Sequence, residues 1–491
     1  MSDLHAHSAR YVRDSMLPPE APPALESGAL KWLRENLFSG VFNSVLTVLG
    51  LLAVVYLLQL ALPWFLHGVW NANSLGECRS IIAATWGEGA HGACWAMIRE
   101  RWNQFLFGFY PSSEYWRPIL ALLLLFYALA PVLFDEMSKK LMVAIGVVAA
   151  LVLWLAADNG QWMPVAILVI VAGVTALMGS RGSHWPHNLM WFSLVFPALA
   201  FWLLWGGSIW LPIVALLGFV VAGLVLRFAT PAIGLMPALA VGVVAAFLWW
   251  YFAAAPLTDA LTGMTGRSQP FWLHVVNSDE FGGFVLAFTI GLSGIAISLP
   301  MGIVLALGRQ SDMLLVKALC VGFIEFIRGV PLITLLFTAS LLLNYFLPPG
   351  TNFDIILRVI IMVTLFSAAY IAEVIRGGLA ALPRGQYEAA DALGLDYWKA
   401  QRLIIMPQAL KISIPGIVSS FIGLFKDTTL VVFVALLDPL KGITDAVRAS
   451  IEWKGIYWEP YIFVGAIFFI ICFSMSRYSM FLENKLKREH R

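Results

Sequence analysis

Gln386-Tyr387-Glu388-Ala389-Ala390-Asp391-Ala392-Leu393-Gly394, followed by Asp396, Ile404 and Met406-Pro407, is a polar stretch held between two strongly apolar runs at 356–374 and 412–436. Gln386 to Leu393 suits one or two turns of helix, and Gly394 supplies a left-handed stop. Asp396 is placed to cap a second helix, which Pro407 limits. A helix-turn-helix knob protruding from a membrane is the expected outcome.

Composition agrees with that geometry. A chain of 491 residues that is 60% hydrophobic and 12% charged cannot cover itself with a soluble surface. A hydrocarbon core about 30 Å thick needs roughly 20 apolar residues of helix, and many such runs occur between short polar breaks. A closed barrel would alternate polar and apolar positions, and this sequence does not. The expected fold is therefore an all-α polytopic membrane protein. Seven accessory spans are expected at 42–66, 118–135, 141–157, 162–178, 189–208, 211–227 and 232–252, with only Trp205-Gly206-Gly207-Ser208 dividing the fifth from the sixth. Five more follow at 283–305, 331–347, 356–374, 412–436 and 460–476.

Lys and Arg set the orientation, because cytoplasmic loops retain positive charge. With the amino end inside, the inner segments hold Arg10, Arg13, Lys31, Arg34, Lys139, Lys140, Arg181, Arg227 and Arg309. The Arg376 to Lys411 cluster and the tail also fall inside, so Glu388 faces the cytoplasm. The expected organisation is a cytoplasmic arm at 1–40, a first span at 41–66, a periplasmic loop at 67–117 and accessory helices at 118–252. A periplasmic connection at 253–280, a transmembrane domain at 281–476 with its polar loop at 376–411, and a cytoplasmic tail at 477–491 complete it. No cleavable signal peptide is expected. The loop at 67–117 carries Cys78 and Cys94. A bridge between them would close about 17 residues and contribute roughly 3 kcal/mol in an oxidising periplasm; the alternative is two buried free thiols.

Ionisable residues at membrane depth cost several kcal/mol each unless paired or hydrated. Glu325 with Arg328, and Glu373 with Arg376, stand three apart on one helical face and read as inter-helix or interfacial ion pairs. Lys426 and Asp427 fall in the middle of an apolar run, followed by Thr428 and Thr429. There a solute carrying both a carboxylate and an ammonium would find an opposite charge or a hydroxyl for each; alternatively the same charges hold a gate. The Gly283, Gly291, Gly294 and Gly302 series permits close helix packing, and Trp residues near span ends suit an interfacial belt. The histidines show no metal-ligand spacing. No Gly-x-x-x-x-Gly-Lys-Ser/Thr string occurs, so the chain is not expected to bind ATP in the usual phosphate loop. No catalytic residues, metal, cofactor or nucleic-acid partner are expected; the lipid bilayer is.

The knob resembles the EAA loop of permease subunits of bacterial ABC importers, in which Glu-Ala-Ala, three residues, Gly, nine residues and Ile-x-Leu-Pro follow in order. Here Met406 replaces the usual Leu. Further strings are similar to the polar amino acid branch of that family over roughly residues 270 to 485. They are Leu305-Ala306-Leu307-Gly308-Arg309, Phe326-Ile327-Arg328-Gly329-Val330-Pro331-Leu332, Ala369 to Gly378, Gly385 to Ala390, Met406 to Ala409 and Leu424 to Leu430. The larger permease subunit of the general L-amino acid systems, which also carries extra amino-terminal spans, resembles the chain most.

This resemblance implies a type I importer core of five transmembrane helices, about 281–476, preceded by about seven accessory helices. It implies that Glu388, Ala389, Ala390, Gly394 and Pro407 couple to an ATP-binding subunit dimer. It also implies a second permease, expected to be a distinct homologue, and a periplasmic amino-acid-binding protein, with the chain in the bacterial inner membrane. Two other classes are open to the sequence. A self-contained ion-coupled amino acid transporter would show an internal repeat, and the motifs at 326–409 have no counterpart before Gly283. A membrane enzyme would need a polar cluster at one face, and Glu77, Glu88, His91, Glu100 and Glu114 lack recognisable spacing.

Overall fold

The structure, a computed structural model, describes residues 28–133, 162–179, 185–267, 271–342, 345 and 353–488. It comprises two compact units, Met1–Ala96 and Met97–Arg491.

In the first unit, α1 (Gly28–Asn36) and α2 (Val41–Leu66) are followed by α3 (Leu75–Trp86). The 26 residues of α2 are apolar on every side and none is buried, as suits a helix solvated by lipid. Ser74 caps α3, accepting from the Glu77 amide at 3.1 Å. Cys78 and Cys94 are bridged, with their Cα atoms 6.1 Å apart. Of the two alternatives open in the sequence, the disulfide is the one present. It closes a small aromatic knot in which Trp95 packs against Trp64, Phe65 and Trp70.

The second unit holds all but the first residue of α4 (Ala96–Phe107), then α5 (Trp116–Leu133), α6 (Trp162–Gly179), α7 (Trp185–Trp205) and α8 (Trp210–Ile233). The span expected at 141–157 lies outside the described residues. Gly206 and Gly207, both at positive φ, separate α7 from α8. There β1 (Gly207–Ser208) pairs antiparallel with β2 (Trp272–Leu273). The helix expected to end at 252 continues: α9 (Leu235–Leu248) passes through a π turn at Trp249–Ala253 into α10 (Ala254–Thr265). Ala254, Ala255, Leu257, Ala260 and Leu261 favour helix, which shortens the expected connection.

The remainder comprises α11 (Gly283–Gln310), α12 (Leu314–Gly329), α13 (Leu332–Phe337), α14 (Ile355–Ala380), α15 (Arg384–Ala392), α16 (Tyr397–Ala400), α17 (Met406–Asp427), α18 (Pro439–Ala449) and α19 (Trp458–Arg488). Eight helices among the described residues are long and apolar enough to cross a membrane. A ninth candidate is the pair Leu314–Gly329 and Leu332–Ser340, bent by 103°. The second member of the pair begins where the span expected at 331–347 begins, whereas no helix was expected at 314–329. Pro331 lacks the amide needed to continue α12 and pushes Val330 to φ −107°, ψ 132°, so the chain breaks and turns.

One apolar core joins accessory and carboxy-terminal helices. Leu120 and Leu124 of α5, Leu203 of α7 and Phe281 bury with Leu286 and Ile290 of α11, Val363 of α14 and Leu424 of α17. The small residues of α11 set its spacing to its neighbours. A Cβ on Gly302 would lie 2.7 Å from Ile371, and one on Gly291 2.9 Å from Phe425. At one end of this core Arg117 is fully buried. Its guanidinium donates to the carbonyls of Leu203, His274 and Leu204, and Glu114 Oε2 stands 3.7 Å from Nη1. At the same end Gly108 bridges to Phe281, Gly282 to Leu437, and Trp453 donates to Glu100 at 2.7 Å.

Candidate functional site

The knob has the expected helix-turn-helix form. Helix α15 carries Glu388, Ala389 and Ala390; Ala390 is buried, while Glu388 and Ala389 are exposed. Gly394 takes φ 68°, and its amide donates to the Asp391 carbonyl at 2.9 Å, while Leu395 donates to Ala390 at 3.2 Å. Those bonds satisfy carbonyls that the end of α15 leaves without partners. Asp396 then caps α16, accepting from the Lys399 amide at 3.0 Å and pairing with its ammonium at 2.8 Å. The Lys399 side chain holds the Asp396 carboxyl below its ordinary range. Gln408 donates to Gln386 at 2.9 Å and ties α15 to the start of α17.

Pro407 plays a different part from the one expected. It does not limit the second helix; it stands in the first turn of α17, directly after a π turn at Gln401–Ile405, within one helical run from Tyr397 to Val434. The widened turn accommodates the ring and the missing amide. The outward side of the knob is apolar for a polar segment: Leu393 is 72% exposed, with Tyr397, Trp398 and Leu403 also exposed. Such a patch suits burial against another protein.

Within the helices a cavity of about 270 Å³ is lined by Phe366, Ser367 and Tyr370 of α14 and by Ser420, Gly423, Leu424 and Asp427 of α17. Of the four residues at 426–429, Asp427 reaches it. Lys426 is exposed, and Thr428 and Thr429 turn their hydroxyls to the carbonyls of Phe425 and Lys426, at 2.7 and 2.9 Å. Consecutive helical residues point about 100° apart, so the two charges do not share one chamber. Asp427 has no hydrogen bond or ion pair among the described residues, and the Ser367 hydroxyl is buried without a partner. The cavity thus offers one carboxylate and a free hydroxyl. Ser367 and Tyr370 were not singled out from the sequence; their signal there is a polar step within the apolar run of α14.

The ion pairs differ in part from expectation. Glu373 and Arg376 do pair, at 2.6 Å. Glu325 instead accepts from Arg309 at 2.9 Å, and Arg328 faces Glu373 at 3.9 Å. Arg309 also reaches Glu373 at 3.3 Å. Glu325 and Arg328 flank the same face of α12, but the end of α11 brings a guanidinium closer than a three-residue step within α12 does.

On the side of the molecule that carries Arg117, Asp438 caps α18 by accepting from Leu440 and Lys441, at 3.0 and 3.1 Å. Burial raises its carboxyl to about 6 even though those amides favour the charge.

Residues 298–488 match the family described as binding-protein-dependent transport system inner membrane component. The chain is 60% identical over 481 residues to the glutamate/glutamine/aspartate/asparagine transport system permease protein BztC of Rhodobacter capsulatus, covering 98% of this chain and 99% of that one. It is 34% identical over 469 residues to the inner membrane amino-acid ABC transporter permease protein YhdY of Escherichia coli, covering 95% and 96%. The glutamate/aspartate import permease protein GltK of Escherichia coli is 29% identical over 222 residues, 44% of this chain and 97% of that shorter protein.

Proposed function

From a chain that belongs to the amino-acid ABC transporter permease family, a multi-pass inner-membrane subunit without an ATPase site of its own, we propose an importer of acidic amino acids and their amides. The near full-length relative named for glutamate, glutamine, aspartate and asparagine supports that substrate range. A periplasmic binding protein delivers the amino acid, a distinct second permease completes the path, and an ATP-binding dimer drives it.

The observation that carries this reading is the knob at 384–407, closed by the left-handed Gly394 and presenting Leu393, Tyr397 and Trp398 outward. Glu388, Ala389 and Ala390 form the docking helix; Gly394 fixes its exit, and Pro407 starts the helix that carries its movement to Asp427. Asp427 and Ser367 receive the substrate ammonium in the cavity between α14 and α17, Asp427 supplying the charge. Lys426 serves the gate of the permease pair.

Purification on a tag carried by this subunit, followed by reconstitution into vesicles with the co-purified subunits, tests the reading. Labelled glutamate and glutamine should enter only with ATP and a binding protein present. Uptake by this subunit alone, or labelling of a cysteine placed at Glu388 from the periplasmic side, would overturn it.

A further inference from the structure

Glu373 sits among three guanidiniums from three helices. Its Oε1 accepts from Arg376 Nη2 at 2.6 Å and Nε at 2.9 Å, while Oε2 faces Arg309 of α11 at 3.3 Å and Arg328 of α12 at 3.9 Å. Arg309 in turn holds Glu325 at 2.9 Å. The cluster has three cations to two anions, and its members are shared rather than matched in closed pairs. Helix ends can therefore slide past one another while each charge keeps a partner, so the network tolerates rearrangement that a single isolated pair would not.

Arg328 is the member held least. It makes the longest of these contacts, and its Nε is buried without a hydrogen-bond partner. Its guanidinium lies over the ring of Tyr370, 5.6 Å from the centroid. Tyr370 is one of the residues lining the Asp427 cavity. Arg328 also stands two residues before the bend at Val330-Pro331, so any turn of α13 against α12 acts on it directly. Glu373 stands on α14, which runs to Ala380 and leads within four residues into the docking helix α15.

We propose that Arg328, held by Glu373 and laid against Tyr370, is the positioning residue that carries movement of the docking helix to the cavity wall. The proposal rests on the importer reading and adds a route to it: α15 to α14, Glu373 to Arg328, and Arg328 to Tyr370. Arg328 touches no substrate; it acts through the tyrosine.

The test uses the reconstituted complex of this subunit with its co-purified permease, ATPase and binding protein. Basal hydrolysis, amino-acid-stimulated hydrolysis and uptake are measured together. R328Q and E373Q should each lower stimulated hydrolysis and uptake about 10-fold, the size of coupling ordinarily carried between two sites, while basal hydrolysis and co-purification stay at the wild-type level. Tyr370→Leu should also lower uptake, and R328Q/Y370L should fall no further than the worse single variant, since both interrupt one route. Parallel loss of basal hydrolysis and subunit abundance in R328Q would make the cluster a structural post and overturn the proposal. Additive losses in the double variant, or wild-type uptake in either single one, would also overturn it. Failure of the wild-type complex to take up amino acid with ATP would instead bring down the importer reading.

Discussion

Gly394 holds φ 68° with open space where a side chain would go, so replacing it strains the backbone without meeting a neighbour. A β-branched residue there costs about 1–2 kcal/mol in the left-handed region, enough to unfold the short turn but not the membrane helices. Gly394→Val is expected to remain in the membrane while uptake falls and hydrolysis continues, read by comparing phosphate release with labelled substrate uptake. For the cavity, Asp427→Asn should raise the KM for uptake at least about 10-fold by removing the counter-charge, whereas Lys426→Met should leave KM unchanged. Equal KM values for both variants would remove Asp427 from the substrate path. Asp438 makes a prediction with an unusual sign. Its folded carboxyl titrates near 6, above an unfolded value of about 3.9. The folded state therefore binds the extra proton, and stability falls as pH rises from about 4 to about 6, by on the order of 2–3 kcal/mol at most. Asn caps a helix as well as Asp does, so the difference in thermal midpoint between wild type and Asp438→Asn should shift over that pH range. A constant difference would show that Asp438 stays ionised throughout.

Helix α11 illustrates what a small-residue seam does for an element. Leucine at Gly302 would push against Ile371 and the Ala368 carbonyl. Overpacking of this kind costs about 1–3 kcal/mol, so Gly302→Leu should lower the thermal midpoint of the purified complex, whereas the unobstructed Gly322→Ala should not. The seam was legible in the sequence, since glycines at 283, 291, 294 and 302 fall within one apolar run. So was the knob, because capping and left-handed positions are local chemistry carried by Gly394 and Asp396. The helix α12 is not legible in the same way: the expected span starts at Pro331, where the chain turns, but the amphipathic 314–329 before it looks like a loop to hydropathy alone. The partners of Glu325 were also out of reach. A three-residue step identifies charges that share a face, but the competitor, Arg309, comes from another helix, and its approach depends on tertiary packing.

At the scale of the whole second unit, Arg117 ties α5 to α7 and to the segment at His274 that leads toward α11. Its guanidinium satisfies carbonyls at Leu203, Leu204 and His274 at once, and the neighbouring Tyr110 hydroxyl donates to Leu204 at 2.7 Å. Arg117→Met would leave buried carbonyls unmatched at about 1–3 kcal/mol each. We expect lower membrane abundance and new protease cuts near residues 206–208, with Arg117→Lys intermediate. The alignment with GltK spans 97% of that protein but 44% of this chain, so more than half of this chain has no counterpart there. The accessory helices share one apolar core with α11 and α14.

The Cys78 to Cys94 bridge carries a consequence for the first unit. Such a cross-link survives only where glutathione and thioredoxin do not reach. It therefore serves as a chemical compass: we expect the knot at 67–96 on the oxidising side of the membrane and the opposite end of α2 on the reducing side, a sidedness obtained without counting a single lysine or arginine.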